Sequence, residues 1–228
     1  MRAAAILAGA WAVVVVAVTQ AAAGQETTFD KSVLPKLFEE IDRRGTPGDY
    51  FQQCPVDIWL KATAIGDSIL PAVAIDYEHC EQDVLACAKL CFDRRSGDAC
   101  FETARVIQDN TPADQQTETE AMFAQACATG SAGGCTNRGA GILQNQLPDK
   151  LRGNSDEAQR CTYRTFKLTC DESDPWGCTM LGMALHYGEG ASKNEAAALA
   201  AYNKSCEIDS DFTACQYAKA AMRTLQSH

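Results

Sequence analysis

Histidine is scarce in this sequence. The three residues, His79, His186 and His228, stand far apart and form no H-x-x-x-H or H-x-H pair. Zinc sites draw on such pairs, so a histidine-rich zinc centre is not expected. No C-x-x-C occurs among the 12 cysteines, which argues against thioredoxin-like redox work and against a zinc ribbon. Cys87 and Cys91, four apart, share a helix face but have no histidine-rich partner motif. No metal or other cofactor is assigned. Basic clusters are missing too: 20 Lys and Arg face 30 Asp and Glu, a net charge of −10. Without a basic footprint for phosphates, nucleic acid is not an expected partner.

What is present begins with the compartment. Met1-Arg2 is followed by an uncharged, mostly apolar run over residues 3–18, then by Ala21 and Ala23 at small-x-small spacing. This pattern predicts a secretory signal peptide over residues 1–23, with no stable membrane span once it is cleaved. Loss of Arg2 with the signal takes the net charge from −10 to −11. All 12 cysteines lie beyond the predicted cut, and an even number in an exported chain predicts disulfides. The expected location is periplasmic or secreted.

Eight of those cysteines recur in pairs. Eight residues intervene between Cys91 and Cys100, seven between Cys127 and Cys135, seven between Cys170 and Cys178, and eight between Cys206 and Cys215. Successive first members lie 36, 43 and 36 positions apart. A period of roughly 34 to 47 residues marks an array of helical hairpins that bury their apolar faces only against neighbours. The fold class is therefore all-α, an α-solenoid. An N-terminal helical segment is expected over residues 24–53, with an amphipathic helix over 29–44 ended by Gly45, and the array over 54–228.

Residues 117–127 (TETEAMFAQAC) read as helix, Gly130 stops it, and Ser131 caps the next helix. One cysteine thus closes a helix and its mate opens the next, within disulfide reach across a short turn. Phe123, Phe166 and Tyr202 stand four residues before the first cysteine of their pairs, Cys87 in the first pair, on the same helix face. Core packing between repeats is the expected use. Cys54, Cys80, Cys87 and Cys161 fall outside the regular pairs. A continuous helix would hold Cys80 and Cys87 about 10 Å apart, too far to bond. Four cysteines allow three connectivities, and the preferred ones join Cys54 to Cys80 or Cys87. Gly66-Asp67-Ser68-Ile69-Leu70 imitates an esterase nucleophile block, but its helical context argues against that chemistry. No catalytic residue is assigned.

The best-formed unit runs over residues 177–206. It shows Gly177-Cys178, Leu181-Gly182, Tyr187-Gly188 with Gly190, and Lys204-Ser205-Cys206. These pieces resemble the Sel-one-like repeat, a relative of the tetratricopeptide repeat, and the cysteine pairs resemble the Helicobacter cysteine-rich branch of that family. Elsewhere the pattern departs: Arg138-Gly139 and Thr103-Ala104 replace Leu-Gly, and residues 144–155 expand one hairpin loop by seven residues. The resemblance implies a groove lined by the first helix of each repeat, taking a protein or peptide partner, with Glu102, Asn137, Arg138, Met180 and Tyr217 as candidate contacts. It also implies an alternative, a penicillin-binding protein with weak β-lactamase activity. Serine enzymes of that class hold a lysine beside the nucleophile in Ser-x-x-Lys, and this chain has no Ser-x-x-Lys.

Overall fold

The computed structural model describes residues 29–64, 75–112, 116–144 and 155–226. The predicted signal peptide, the Gly66–Leu70 block, most of the expanded loop and His228 lie outside the described residues. Among the described residues there are twelve α-helices and no strand. A 3-10 turn at Lys31–Val33 leads into α1 (Leu34–Arg44), followed by α2 (Thr46–Phe51), α3 (Pro55–Ala64) and α4 (Tyr77–Gln82). Four hairpin turns then join α5 (Val84–Arg94) to α6 (Gly97–Asn110), α7 (Thr117–Ala128) to α8 (Ala132–Leu143), α9 (Asp156–Asp171) to α10 (Pro175–Tyr187), and α11 (Glu195–Ile208) to α12 (Thr213–Gln226). The chain is an all-α array of helical hairpins.

Three of the four turns share one construction. Ser96, Ser131 and Asp174 cap α6, α8 and α10, their side-chain oxygens accepting from the backbone N–H of Ala99, Gly134 and Gly177. A left-handed residue reverses the chain just before each cap: Arg95 (φ 53°), Gly130 (φ 93°) and Ser173 (φ 63°). The last turn differs, with Asp209 extended and its carboxylate accepting from the N–H groups of Asp211 and Phe212. Each turn is closed by its predicted disulfide. Cα–Cα distances are 4.6 Å for Cys91–Cys100, 4.4 Å for Cys127–Cys135, 4.3 Å for Cys170–Cys178 and 4.6 Å for Cys206–Cys215.

The remaining four cysteines pair differently from expectation. Cys80 bonds Cys87, with Cα atoms 5.5 Å apart. The helix does not run through them: α4 stops at Gln82, and Asp83 (φ −146°) breaks the path and caps α5 through the Ala86 N–H. That break removes the separation a continuous helix would impose. Cys54 bonds neither Cys80 nor Cys87 but Cys161, 107 positions away.

Packing between repeats follows a repeated plan. Phe123, Phe166 and Tyr202 are all buried. Phe166 and Tyr202 lie against Gly139 and Gly182 of the preceding hairpin, where a Cβ would press into the ring. A polar stitch runs beside them. Thr136, one residue after Cys135, donates to the Thr169 hydroxyl (2.9 Å) or to Asp174 Oδ2 (2.6 Å) in the next hairpin. Thr179, one residue after Cys178, reaches the Ser205 hydroxyl (2.9 Å) and the Ala214 carbonyl (3.1 Å).

The segment around Cys54 does not stack ahead of α5 as the first member of the array. Helices α2 and α3 lie across α7, α8 and α9, and the Cys54–Cys161 bond fastens them there. Phe51, Val56 and Ile58 are buried beneath this strap. As a result α7 has no exposed side, and every residue from Thr119 to Ala128 is buried.

Candidate functional site

Four of the five candidate groove residues occupy one register. Glu102, Asn137, Met180 and Tyr217 each stand two residues after the second cysteine of a turn, on α6, α8, α10 and α12. Equal register on equivalent helices places them as successive rungs. Glu102 has 12% of its side chain exposed, and it accepts from Arg105 at 3.0 Å. Burial raises its carboxyl above the ordinary value, with Arg105 pulling the other way. Asn137 is half-buried, its amide donating to the Gly133 carbonyl at 2.8 Å. Met180 is half-buried as well. Tyr217 is 45% exposed, its ring centroid 5.2 Å from that of Trp176. Tyr187 and Phe212 add exposed apolar surface at this end of the array. The rungs change along the array from acidic, through amide, to thioether and phenol.

Arg138 does not belong with them. It is fully buried, one position further round α8, under the strap. Its guanidinium pairs with Glu120 on α7 (3.3 Å), donates to the Phe51 carbonyl (2.9 Å) and lies over the Phe51 ring (5.4 Å). The groove assignment of Arg138 is therefore corrected to a strap anchor. The physical cause is the cover of α2 and α3, which turns an exposed position into core. Burial pushes the Glu120 carboxyl from its ordinary 4.5 up to about 7, although Arg138 opposes the shift.

Sequence reasoning missed the Glu120–Arg138 pair and its strap contacts. One signal was available: Arg138 stands where the best-formed repeat has Leu181, at an apolar position of the motif. The second strap anchor, Thr165 on α9, accepts from the Val56 N–H at 3.3 Å while donating to the Cys161 carbonyl at 2.9 Å. A third is an ion pair between Arg164 and Asp57. Nothing in the spacing of these residues announces such a long-range contact.

Other candidate chemistry has structural employment. Asp76 and His79 have Asp-x-x-His spacing downstream of Ser68, and the Asp76 carboxylate caps α4 by accepting from the His79 backbone N–H at 2.9 Å. His186 is buried and stacked on Tyr187, with centroids 4.4 Å apart. Among the described residues no group of three or more His, Cys, Asp or Glu side chains is placed to hold a metal ion. No described helix is long and apolar enough to cross a membrane. The six disulfides suit an oxidising environment. Comparison with family models, with curated proteins and with solved structures found no match for the chain.

Proposed function

We propose that this chain is an exported repeat protein of the Sel-one-like kind that binds a protein or peptide along the face bearing Glu102, Asn137, Met180 and Tyr217. The observation carrying this reading is their common register on four successive equivalent helices. A helical-hairpin array offers an extended partner one contact per repeat. The rungs suit an extended segment with a polar half toward Glu102 and Asn137 and an apolar half toward Met180 and Tyr217. The β-lactam alternative rests on resemblance alone.

A photo-crosslinking amino acid placed singly at Met180, Tyr217 or, as a control, Lys204 tests the reading in the exporting cell. Discrete adducts from Met180 and Tyr217, absent from Lys204, support it. Equal labelling from all three positions, or none from the rungs, refutes it. A nitrocefin assay on the same protein tests the alternative.

A further inference from the structure

Five of the six disulfides close loops of seven to nine positions, whereas Cys54–Cys161 joins segments 107 positions apart. It differs in access as well. Cys54 is partly exposed, and apart from it and Cys206 every cysteine is buried. The bond lines an open depression of about 300 Å³ whose other walls are Gln52, Asp57, Glu157, Arg160 and Arg164. A thiol reagent thus has a route to the Cys54 side of this bond without prior unfolding. The depression sets two cations, Arg160 and Arg164, against two carboxylates, Glu157 and the Asp57 that holds Arg164. Cations near a disulfide favour both an approaching thiolate and the thiolate that leaves.

We propose that Cys54–Cys161 is a thiol–disulfide exchange site, whose substrate is a dithiol and whose opening loosens the strap on α7, α8 and α9. The dithiol's thiolate attacks the Cys54 sulfur from the depression, the S–S bond breaks, and its electron pair leaves on Cys161. The reagent's second thiolate then displaces Cys54 as a thiolate and closes the reagent's own disulfide. The chain gains two electrons, and its two thiolates take protons from water. The arginines stabilise the Cys161 leaving group. Once the bond is open, the strap is held by Phe51, Val56 and Ile58, by the Arg138 and Thr165 hydrogen bonds, and by the Asp57–Arg164 pair. This inference goes beyond the groove reading and is independent of it, because exchange is measured on the chain with no partner present.

The test uses the oxidised, folded chain with dithiothreitol as the probe. Samples are acid-quenched, alkylated and mapped by peptide mass. Cys54 and Cys161 should be trapped first, at least tenfold ahead of each local pair. Amide exchange at Val56, whose N–H is held by Thr165, should accelerate in step. Arg160→Gln should slow the exchange several-fold, while Lys167→Gln, also on α9, leaves the rate unchanged. Opening of any local pair as fast as Cys54–Cys161, with Cys206–Cys215 the stringent comparison, overturns the proposal. So does an Arg160→Gln protein that exchanges at the unmodified rate, or a Val56 amide that stays protected after reduction.

Discussion

Replacing Arg138 by Met tests how the strap is anchored. Met fills much of the same volume but removes the cation beside Glu120 and the donor to the Phe51 carbonyl. Two costs of different pH dependence follow. An unmet buried carbonyl costs about 1–3 kcal/mol at any pH, reduced by no longer having to bury a guanidinium. The second cost comes from Glu120. Its folded value lies above the unfolded one, so the stability tied to its proton is fully present below 4.5 and lost as pH rises through about 7. Without Arg138 the folded value rises further, and the loss continues upward. Each further pH unit adds about 1.4 kcal/mol. The substitution should therefore cost about 1.4 kcal/mol more at pH 8 than at pH 5. Burial also raises Glu102, Asp174 and Glu189, but they are common to both proteins and cancel in the difference. Urea unfolding of the oxidised proteins, followed by far-ultraviolet circular dichroism at both pH values, reads it directly. Adding Glu120→Gln should abolish the pH-dependent part. A cost equal at pH 5 and pH 8, or one that survives the second substitution, refutes the reasoning.

Three further outcomes are expected. Thr136→Val removes the stitch to Thr169 and Asp174 and should lower stability by about 1–2 kcal/mol in the same urea assay; Thr179→Val should do likewise for the next hairpin. Gly182→Ala drives a methyl into the Tyr202 ring and should cost about 1–3 kcal/mol, seen as a Tm lower by several degrees, while unchanged melting would mean the two helices separate freely. Each local turn disulfide contributes up to about 2.6 kcal/mol in the chain-entropy model, so four give at most about 10 kcal/mol, comparable with the roughly 5–15 kcal/mol of a whole domain. The fully reduced chain should therefore lose helical circular dichroism far below the melting temperature of the oxidised one; melting within a few degrees would show that packing alone suffices.

The array was legible because its determinants are local. Ser131 or Asp174 before a helix, Gly130 after one, and a cysteine on either side specify a turn within about ten residues. The aromatic at Phe123, Phe166 or Tyr202 lies one helical turn from its cysteine, so the packing face follows from helical periodicity. Cys80–Cys87 was misread for a local reason. The continuous helix fails at Asp83, whose side chain competes for backbone N–H groups and caps α5 instead. A cap in mid-run shortens the distance that an unbroken helix would enforce.

The strap was not legible, because nothing local determines it. Its contacts join Phe51 to Arg138, Val56 to Thr165 and Cys54 to Cys161, pairs that share no periodicity. They also explain why Arg138 is core while Asn137 beside it is only half-buried. Asn137 and Arg138 are adjacent on α8, one half-buried and the other fully buried beneath the strap. A polar residue at each position reads as surface on a bare array. Only the cover supplied by Phe51 makes the second position core, and a buried guanidinium there needs the carboxylate of Glu120 and a backbone carbonyl to be tolerable. The site thus divides by what covers it. The rungs run from largely covered at Glu102 to exposed at Tyr217, and the face beside them on α7, α8 and α9 already holds a peptide segment, one that the chain itself provides.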